Sequence, residues 1–230
     1  ETIAGGFAHE IRNPLTSIKT FIQLAPYRQD DPEFMGEFQS VVSDDVSRIE
    51  KLIQEILDYA QNIEPKLCEE DLNEIVLSCL LFVDVQAKQK SSVTVANDLA
   101  DNLPRMLVDR QQIKQVLMNL FLNALSAMTN AEGRVTVKTH RLTKPTGDIW
   151  VQIEVADTGC GISADNLEHI FDPFFTTKHE SREREGTGLG LVIVHQIIQE
   201  HGGYVEVESQ VDQGTTFFVN LPVTPPLSGK

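Results

Sequence analysis

Residues 7–18 read FAHEIRNPLTSI, a stretch that carries a histidine and, five residues later, a proline. Apolar residues recur here at steps of three or four, which is the spacing of one face of an α-helix. Pro14 removes one backbone hydrogen bond from such a helix and crowds the carbonyl of Glu10, at a cost of roughly 3 kcal/mol. We therefore hypothesise that Pro14 loosens the helix below His9, where another part of the protein docks.

The same spacing continues on both sides and predicts two long amphipathic helices within residues 1–62. The segment PYRQDDPEF at 26–34 separates them, because its two prolines interrupt the helical pattern. Two antiparallel helices leave each apolar stripe half covered, so a homodimer that forms a four-helix bundle is the economical way to bury both stripes.

After residue 62 the pattern changes. Residues 63–70 lose the helical period, and we interpret them as a linker or a first edge strand. Between residues 71 and 225, helical segments alternate with two β-hairpins, which predicts an α+β domain with helices on one face of a mixed sheet. Asp71 and Asp109 are the expected N-caps of two of these helices. Residues 226–230 form a C-terminal tail.

Composition excludes several classes of partner. A net charge of −15 over 230 residues argues against nucleic acid, and a phosphate ligand would need a divalent cation or a local basic patch. The three cysteines have no pairing or metal-ligand spacing, which favours reduced thiols. No apolar run approaches the roughly 20 residues of a membrane span. We expect no membrane contact by this fragment and a cytoplasmic location, whether or not a longer parent protein is anchored.

Three further motifs are suited to nucleotide binding. VADTGCGIS (155–163) follows a predicted strand, and EGTGLGL (185–191) opens a predicted helix. Glycines let the backbone approach a ligand closely, and helix N-termini attract phosphate. Asn119 and Asn123 lie on one face of an otherwise apolar helix. Taken singly, each glycine stretch is equally well explained as a turn or a helix start, and the two asparagines are better explained as a structural hydrogen-bonded pair.

The order of five motifs decides among these alternatives. FAHEIRNPL, QVLMNLFLNA, VADTGCGIS, IFDPFFTTK and GTGLGLVIV follow one another along the chain. This series resembles the H, N, G1, F and G2 boxes of the two-component sensor histidine kinases, over roughly residues 1–223. The resemblance implies a dimeric helical hairpin followed by an α+β two-layer sandwich of the histidine kinase, gyrase, Hsp90 and MutL ATPase type. Ser126, within an N-A-x-x-A pattern, resembles the sporulation and nitrogen-regulation subgroup.

The resemblance also implies roles in the hairpin. His9 would be the phosphoacceptor, Glu10 the base that polarises its imidazole, and Asn13 the residue that orients water when the partner regulator is dephosphorylated. The zinc-binding pattern H-E-x-x-H is excluded, since position 13 is asparagine. For Lys19 a role as solvated helix surface is the simpler interpretation.

For the second domain the resemblance implies an ATP site that uses Mg²⁺. Asp157 would bind the adenine amino group, with Gly159 and Gly161 making room for the base and Thr215 assisting. Asn123 would bind the metal, and Asn119 would support the phosphates. The remaining nucleotide-binding residues implied are Lys178, Gly186, Gly188, Leu189 and Gly190. Residues 163–185 would form a lid over the nucleotide.

The predicted function is ATP-dependent autophosphorylation of His9 and transfer to an aspartate in the receiver domain of a response regulator, with phosphatase activity as a further expectation. Proteins that inhibit the kinase by binding the hairpin are additional candidate partners. Two alternatives stay open. An ATPase clamp of the same fold would have no use for the hairpin, and a non-catalytic scaffold would have no use for Asn123, Asp157 and the glycines.

Overall fold

The computed structural model describes residues 3–60, 64–89, 93–128, 132–177 and 187–225. Within them a helical hairpin precedes an α+β domain, which confirms the predicted fold class. No helix in these ranges is long and apolar enough to cross a bilayer.

The hairpin consists of helices α1 (Ile3–Leu24) and α2 (Pro32–Ala60), joined through a 3₁₀ turn at Ala25–Tyr27. Asp31 precedes α2, and its carboxylate accepts the backbone N–H of Phe34 at 3.2 Å. Pro32 suits the first position of a helix, because the N–H it lacks would have no helical partner there. The helix α1 continues through Pro14, whose side chain is buried.

Burial in the hairpin is uneven. Phe21, Phe34 and Phe38 cluster at the turn, with ring centroids 5.8 to 6.4 Å apart. Other large apolar side chains are 43 to 56% exposed, namely Leu15, Ile22, Leu24, Val46, Ile53 and Leu57. One hairpin thus leaves apolar surface uncovered on both helices.

The second domain is built on a five-stranded sheet. Its strands are β2 (Val93–Leu99), β4 (Gly133–Thr143), β5 (Ile149–Asp157), β6 (Tyr204–Gln210) and β7 (Gly214–Pro222). Their spatial order is β2-β4-β5-β7-β6, with β2 parallel to β4 and the other neighbours antiparallel. Both predicted β-hairpins, β4–β5 and β6–β7, are present.

A second, two-stranded sheet pairs β1 (Cys68–Glu70) with β3 (Met106–Val108). Of the two interpretations given for residues 63–70, the edge strand therefore applies to residues 68–70. The sequence analysis did not predict β3, because three residues are too few to display the alternation of a strand.

The helices of this domain cover one face of the large sheet. They are α3 (Leu72–Gln89), α4 (Arg110–Ala127), α5 (Ala164–Leu167) and α6 (Gly190–Glu200). Alternate residues of the central strand β5, Val151, Ile153 and Val155, are at most 2% exposed and belong to the same core as Phe121 of α4. Helix α5 is limited to four residues.

Both predicted caps are confirmed. The Asp71 carboxylate accepts the backbone N–H groups of Asn73 and Glu74, and Asp109 accepts those of Gln111 and Gln112 at 2.9 and 3.1 Å. Partial burial opposes ionisation of Asp109, but these bonds and a third from Lys66 N–H outweigh it and lower its pKa. Asp109 thereby ties the segment before β1 to the start of α4.

Candidate nucleotide and phosphoacceptor sites

The phosphoacceptor segment lies in the first half of α1. His9 is part of this helix, and its side chain lies outside the described residues. Glu10 points toward α2, where Arg48 Nη2 lies 3.2 Å from its Oε2; the two side chains are 13 and 27% exposed. The carboxylate predicted to act as a base is thus held by an ion pair within the same hairpin.

Sequence analysis missed Arg48. It is 38 residues from Glu10, and the pairing of two helices in a hairpin is not readable from either helix alone. Arg48 also stands in an acidic part of α2, where a single arginine forms no recognisable motif. Asn13, Thr16 and Thr20 of α1 are all exposed.

Asp157, the predicted adenine-binding residue, ends β5. It is 9% exposed, and its Oδ1 accepts the backbone N–H of Gly159 at 2.7 Å. Burial raises the pKa of this carboxyl, while the backbone N–H groups of Gly159 and Thr215 oppose that rise. A buried acceptor held in place in this way can receive a hydrogen bond from an amino group of a ligand.

Two glycines after Asp157 have no room for a side chain. A Cβ on Gly159 would lie 2.7 Å from Ala127 Cβ and 2.8 Å from Asp157 Oδ1. Gly161 has φ +69°, and a Cβ there would overlap the carbonyl oxygen of Gln210. These residues therefore have to be glycine for the loop to lie between the end of α4 and the β6–β7 turn.

Ser209 braces this loop and was also missed by the sequence analysis. Its hydroxyl accepts the backbone N–H of Ile162 at 2.8 Å, donates to Gly214 O at 3.0 Å and lies 2.9 Å from Thr215 Oγ1. Thr215 is 5% exposed and pairs across the sheet with Asp157. The structure thus places Thr215 beside Asp157, with its hydroxyl already bonded to Ser209.

The two asparagines of α4 differ in their surroundings. Asn119 donates from Nδ2 to the carbonyl oxygen of Gly190 at 3.2 Å, which joins α4 to the start of α6. Asn123 is half-buried, and within the described residues no hydrogen bond involves its side-chain amide, while its backbone carbonyl accepts Ser126 Oγ at 2.9 Å. Asn123 therefore keeps an amide oxygen available for a ligand.

The glycine-rich turn before α6 approaches these asparagines. Gly188 has φ +71° and its carbonyl accepts the backbone N–H of Phe174 at 3.1 Å. Leu189 is fully buried, and Gly190 begins α6. Two of the residues predicted to bind the nucleotide, Lys178 and Gly186, lie outside the described part of the chain. The others predicted for the nucleotide converge around the end of α4, the end of β5 and the start of α6.

The described residues suit Mg²⁺ only as a metal that a ligand brings with it. Among the described residues no group of three or more His, Cys, Asp or Glu side chains could hold a metal ion. Asn123 offers a neutral hard oxygen, and Mg²⁺ in nucleotide sites is held by one or two protein oxygens, by phosphates and by water. The site therefore suits a metal that arrives with a triphosphate.

Comparison with known families gives two matches. A model described as "Histidine kinase-, DNA gyrase B-, and HSP90-like ATPase" matches residues 108–225, just over half of the chain. A second model, described as "His Kinase A (phospho-acceptor) domain", matches residues 1–65. The first spans the nucleotide site and the second spans the hairpin.

Individual relatives agree with these matches. The sensor histidine kinase ZraS of Escherichia coli (strain K12) is 36% identical over 96% of this chain and 45% of ZraS. Sporulation kinase E of Bacillus subtilis (strain 168) is 34% identical over 96% of this chain and 28% of that kinase. The solved complex of histidine kinase ThkA with response regulator TrrA aligns with a TM-score of 0.77 and 31% identity, over 95% of this chain and 60% of that chain. The chain spans less than half the length of both curated relatives.

Proposed function

The chain belongs to the sensor histidine kinases, and on this basis we propose that it transfers the γ-phosphoryl group of ATP to His9 and then to an aspartate of a response regulator. The proposal is supported by one observation: a single chain joins a hairpin that matches the phospho-acceptor family model, in which Arg48 holds Glu10, to a domain that matches the ATPase family model. We keep residues 1–62, 63–70, 71–225 and 226–230 as the proposed hairpin, linker, ATP-binding domain and tail.

We assign the nucleotide to the residues that converge in the second domain. Asp157 accepts the adenine amino group, Gly159 and Gly161 leave room for the base, and Thr215 supports Asp157. Asn119, Gly188, Leu189 and Gly190 face the phosphates, and Gly186 and Lys178 are further proposed contacts, Lys178 from the lid. Asn123 supplies the protein oxygen to Mg²⁺, which neutralises phosphate charge when bound.

We propose that the reaction at His9 is an in-line displacement. The unprotonated ring nitrogen bonds to the γ-phosphorus, while the bond from that phosphorus to the oxygen bridging to the β-phosphate breaks and ADP leaves with the electron pair. Glu10 accepts the proton of the other ring nitrogen, so charge balances across the imidazole. Phosphoryl transfer depends chiefly on positioning and charge neutralisation, which gives Arg48 its proposed role of fixing the Glu10 carboxylate.

We further propose that two copies form a four-helix bundle. Six large apolar side chains on α1 and α2 are 43 to 56% exposed, and a second hairpin would cover them. Sedimentation should give a dimer at micromolar concentration. A monomer under those conditions would contradict this part of the proposal.

The proposed partner is a receiver domain, by analogy with ThkA, which was crystallised with response regulator TrrA. Exposed Asn13, one turn after His9, is the residue we assign to orienting water if the kinase also dephosphorylates that partner. Proteins that bind the hairpin and inhibit the kinase are further proposed partners. We place these activities in the cytoplasm, where ATP is present.

Replacing Arg48 by glutamine is expected to slow autophosphorylation several-fold without changing ATP affinity, because Glu10 loses the cation that holds it. Arg48→Lys should recover part of the rate, since an ammonium group keeps the charge but not the planar geometry. Arg28→Gln is the matched control, as Arg28 forms a 3.0 Å ion pair with Asp31 at the exposed turn of the same hairpin. Equal losses in the glutamine variants at 28 and 48 would contradict the role assigned to Arg48.

The test of the proposed function is uptake of label from γ-labelled ATP with Mg²⁺. A histidine kinase should become labelled and pass the label to a receiver domain. Turnover of ATP with no label on the protein would instead favour the ATPase clamp. Binding of ATP with neither turnover nor label would favour the scaffold.

A further inference from the structure

Phe174 contacts both parts of the molecule. Its ring packs edge to face against Phe7 of α1, with centroids 4.7 Å apart and planes at 89°. The other two phenylalanines of the same motif stay within the second domain, where Phe171 packs on His195 at 5.2 Å and Phe175 on His169 at 5.7 Å. Of the ring pairs that these three residues form, the one of Phe174 joins the second domain to the hairpin.

Gly6 permits this contact. A Cβ on Gly6 would lie 2.7 to 2.9 Å from three ring carbons of Phe174, closer than real Cβ atoms approach. Glycine inside a helix is less favourable than alanine because it loses more backbone freedom on folding. The close approach of the Phe174 ring gives a physical reason for a glycine at this position of α1.

The backbone of Phe174 is interlocked with the nucleotide turn. Phe174 is a non-glycine residue with φ +68°, and its N–H donates to Gly188 O at 3.1 Å. A Cβ on Gly188 would overlap the backbone of Phe174. A shift of the Gly188 turn on nucleotide binding must therefore be accommodated at Phe174, whose ring lies on α1.

The contact also lies close to the reactive part of the hairpin. Gly6 and Phe7 precede Glu10 by four and three residues, so they occupy the same face of α1, one turn earlier. This is the face on which Arg48 holds Glu10. The second domain thus meets α1 next to the proposed base and away from the hairpin turn.

From these contacts, and resting on the proposed function, we propose that Phe174 is a positioning residue that seats the nucleotide domain on α1 at Gly6 and Phe7 and couples this seating to the Gly188 turn. Phe174 does not touch the reacting atoms. Its effect is on how often the bound γ-phosphate reaches His9, and misplacement by about 1 Å can slow such a step by about 100-fold.

The test uses Gly6→Ala, which obstructs the contact without altering the nucleotide domain. We expect the maximal rate of autophosphorylation to fall by about tenfold or more, with a much smaller change in the ATP dissociation constant. Gly36→Ala is the matched control, since it replaces an exposed helical glycine of α2 at which a Cβ meets nothing within 4 Å. Sedimentation of both variants establishes that the oligomeric state is retained.

A double-mutant cycle with Phe174→Ala separates seating from a general effect on α1. Phenylalanine and alanine at position 174 would both have the same positive φ, so the substitution removes only the ring. If Gly6→Ala acts through that ring, it should have little further effect on the rate in the Phe174→Ala background. An unchanged or faster rate in Gly6→Ala, or additive losses in the double variant, would overturn the proposal. Absence of label on the wild-type protein would overturn the proposed function instead.

Discussion

A Gly188→Ala variant is expected to bind ATP at least about tenfold more weakly and to take up almost no label. The φ of +71° at this residue costs a non-glycine side chain about 1–2 kcal/mol. The new Cβ would also overlap the backbone of Phe174, which Gly188 holds by a 3.1 Å hydrogen bond. Since backbone atoms cannot move aside cheaply, the turn proposed to face the phosphates has to shift.

Gly147→Ala is the control for the backbone cost alone. Gly147 has φ +91° in the β4–β5 turn, and a Cβ there meets nothing within 4 Å. It should lower stability slightly and leave ATP affinity as it is. Calorimetric titration with Mg-ATP measures the affinity of both variants. Unchanged affinity in Gly188→Ala, or an equal loss in Gly147→Ala, would contradict the assignment of Gly188 to the nucleotide site.

An Asn123→Asp variant should lose labelling by on the order of 100-fold. The substitution is isosteric, so the packing of α4 is retained, but it removes the amide donor and places a negative charge next to a triphosphate. Within the described residues the Asn123 amide has no hydrogen-bonding partner, so no structural bond is lost with it. A loss of labelling therefore reports on the interaction with ATP and Mg²⁺.

Asn97→Asp is the matched control, because Asn97 is exposed on the edge strand β2 and gains the same charge away from the site. Label uptake is measured for both variants with Mg²⁺ and after its removal by a chelator. Wild type without Mg²⁺ should fall to the level of Asn123→Asp. Full labelling by Asn123→Asp would contradict the prediction that a negative charge at this position impairs the use of ATP.

Much of the fold follows from local signals in the sequence. The hairpin was predicted because steps of three and four persist over long segments with prolines between them. The caps at Asp71 and Asp109 were predicted because an N-cap side chain bonds to N–H groups only two or three residues further along the chain. The two β-hairpins were predicted for the same reason, since both strands and their turn are contiguous.

Long-range contacts were harder to predict. The ion pair from Arg48 to Glu10 depends on how two helices align, the bracing of Ser209 depends on the β6–β7 turn meeting the Asp157 loop, and β3 is too short to carry a pattern. Gly6 illustrates the same limit, since nothing in the sequence near it indicates that a ring 168 residues away explains its lack of a side chain.

The proposed role of His9 is to accept the phosphoryl group from ATP. It is tested by measuring how stable the phosphate label on the wild type and on His9→Gln is in acid and in base. Phosphohistidine is labile in acid and stable in base, because its P–N bond is cleaved after protonation of the ring. His140→Gln serves as the control, since His140 lies half-buried on the sheet, 3.5 Å from Glu154. We expect acid-labile label on wild type and His140→Gln and none on His9→Gln. Acid-stable label, or undiminished label on His9→Gln, would rule out His9 as the phosphoacceptor.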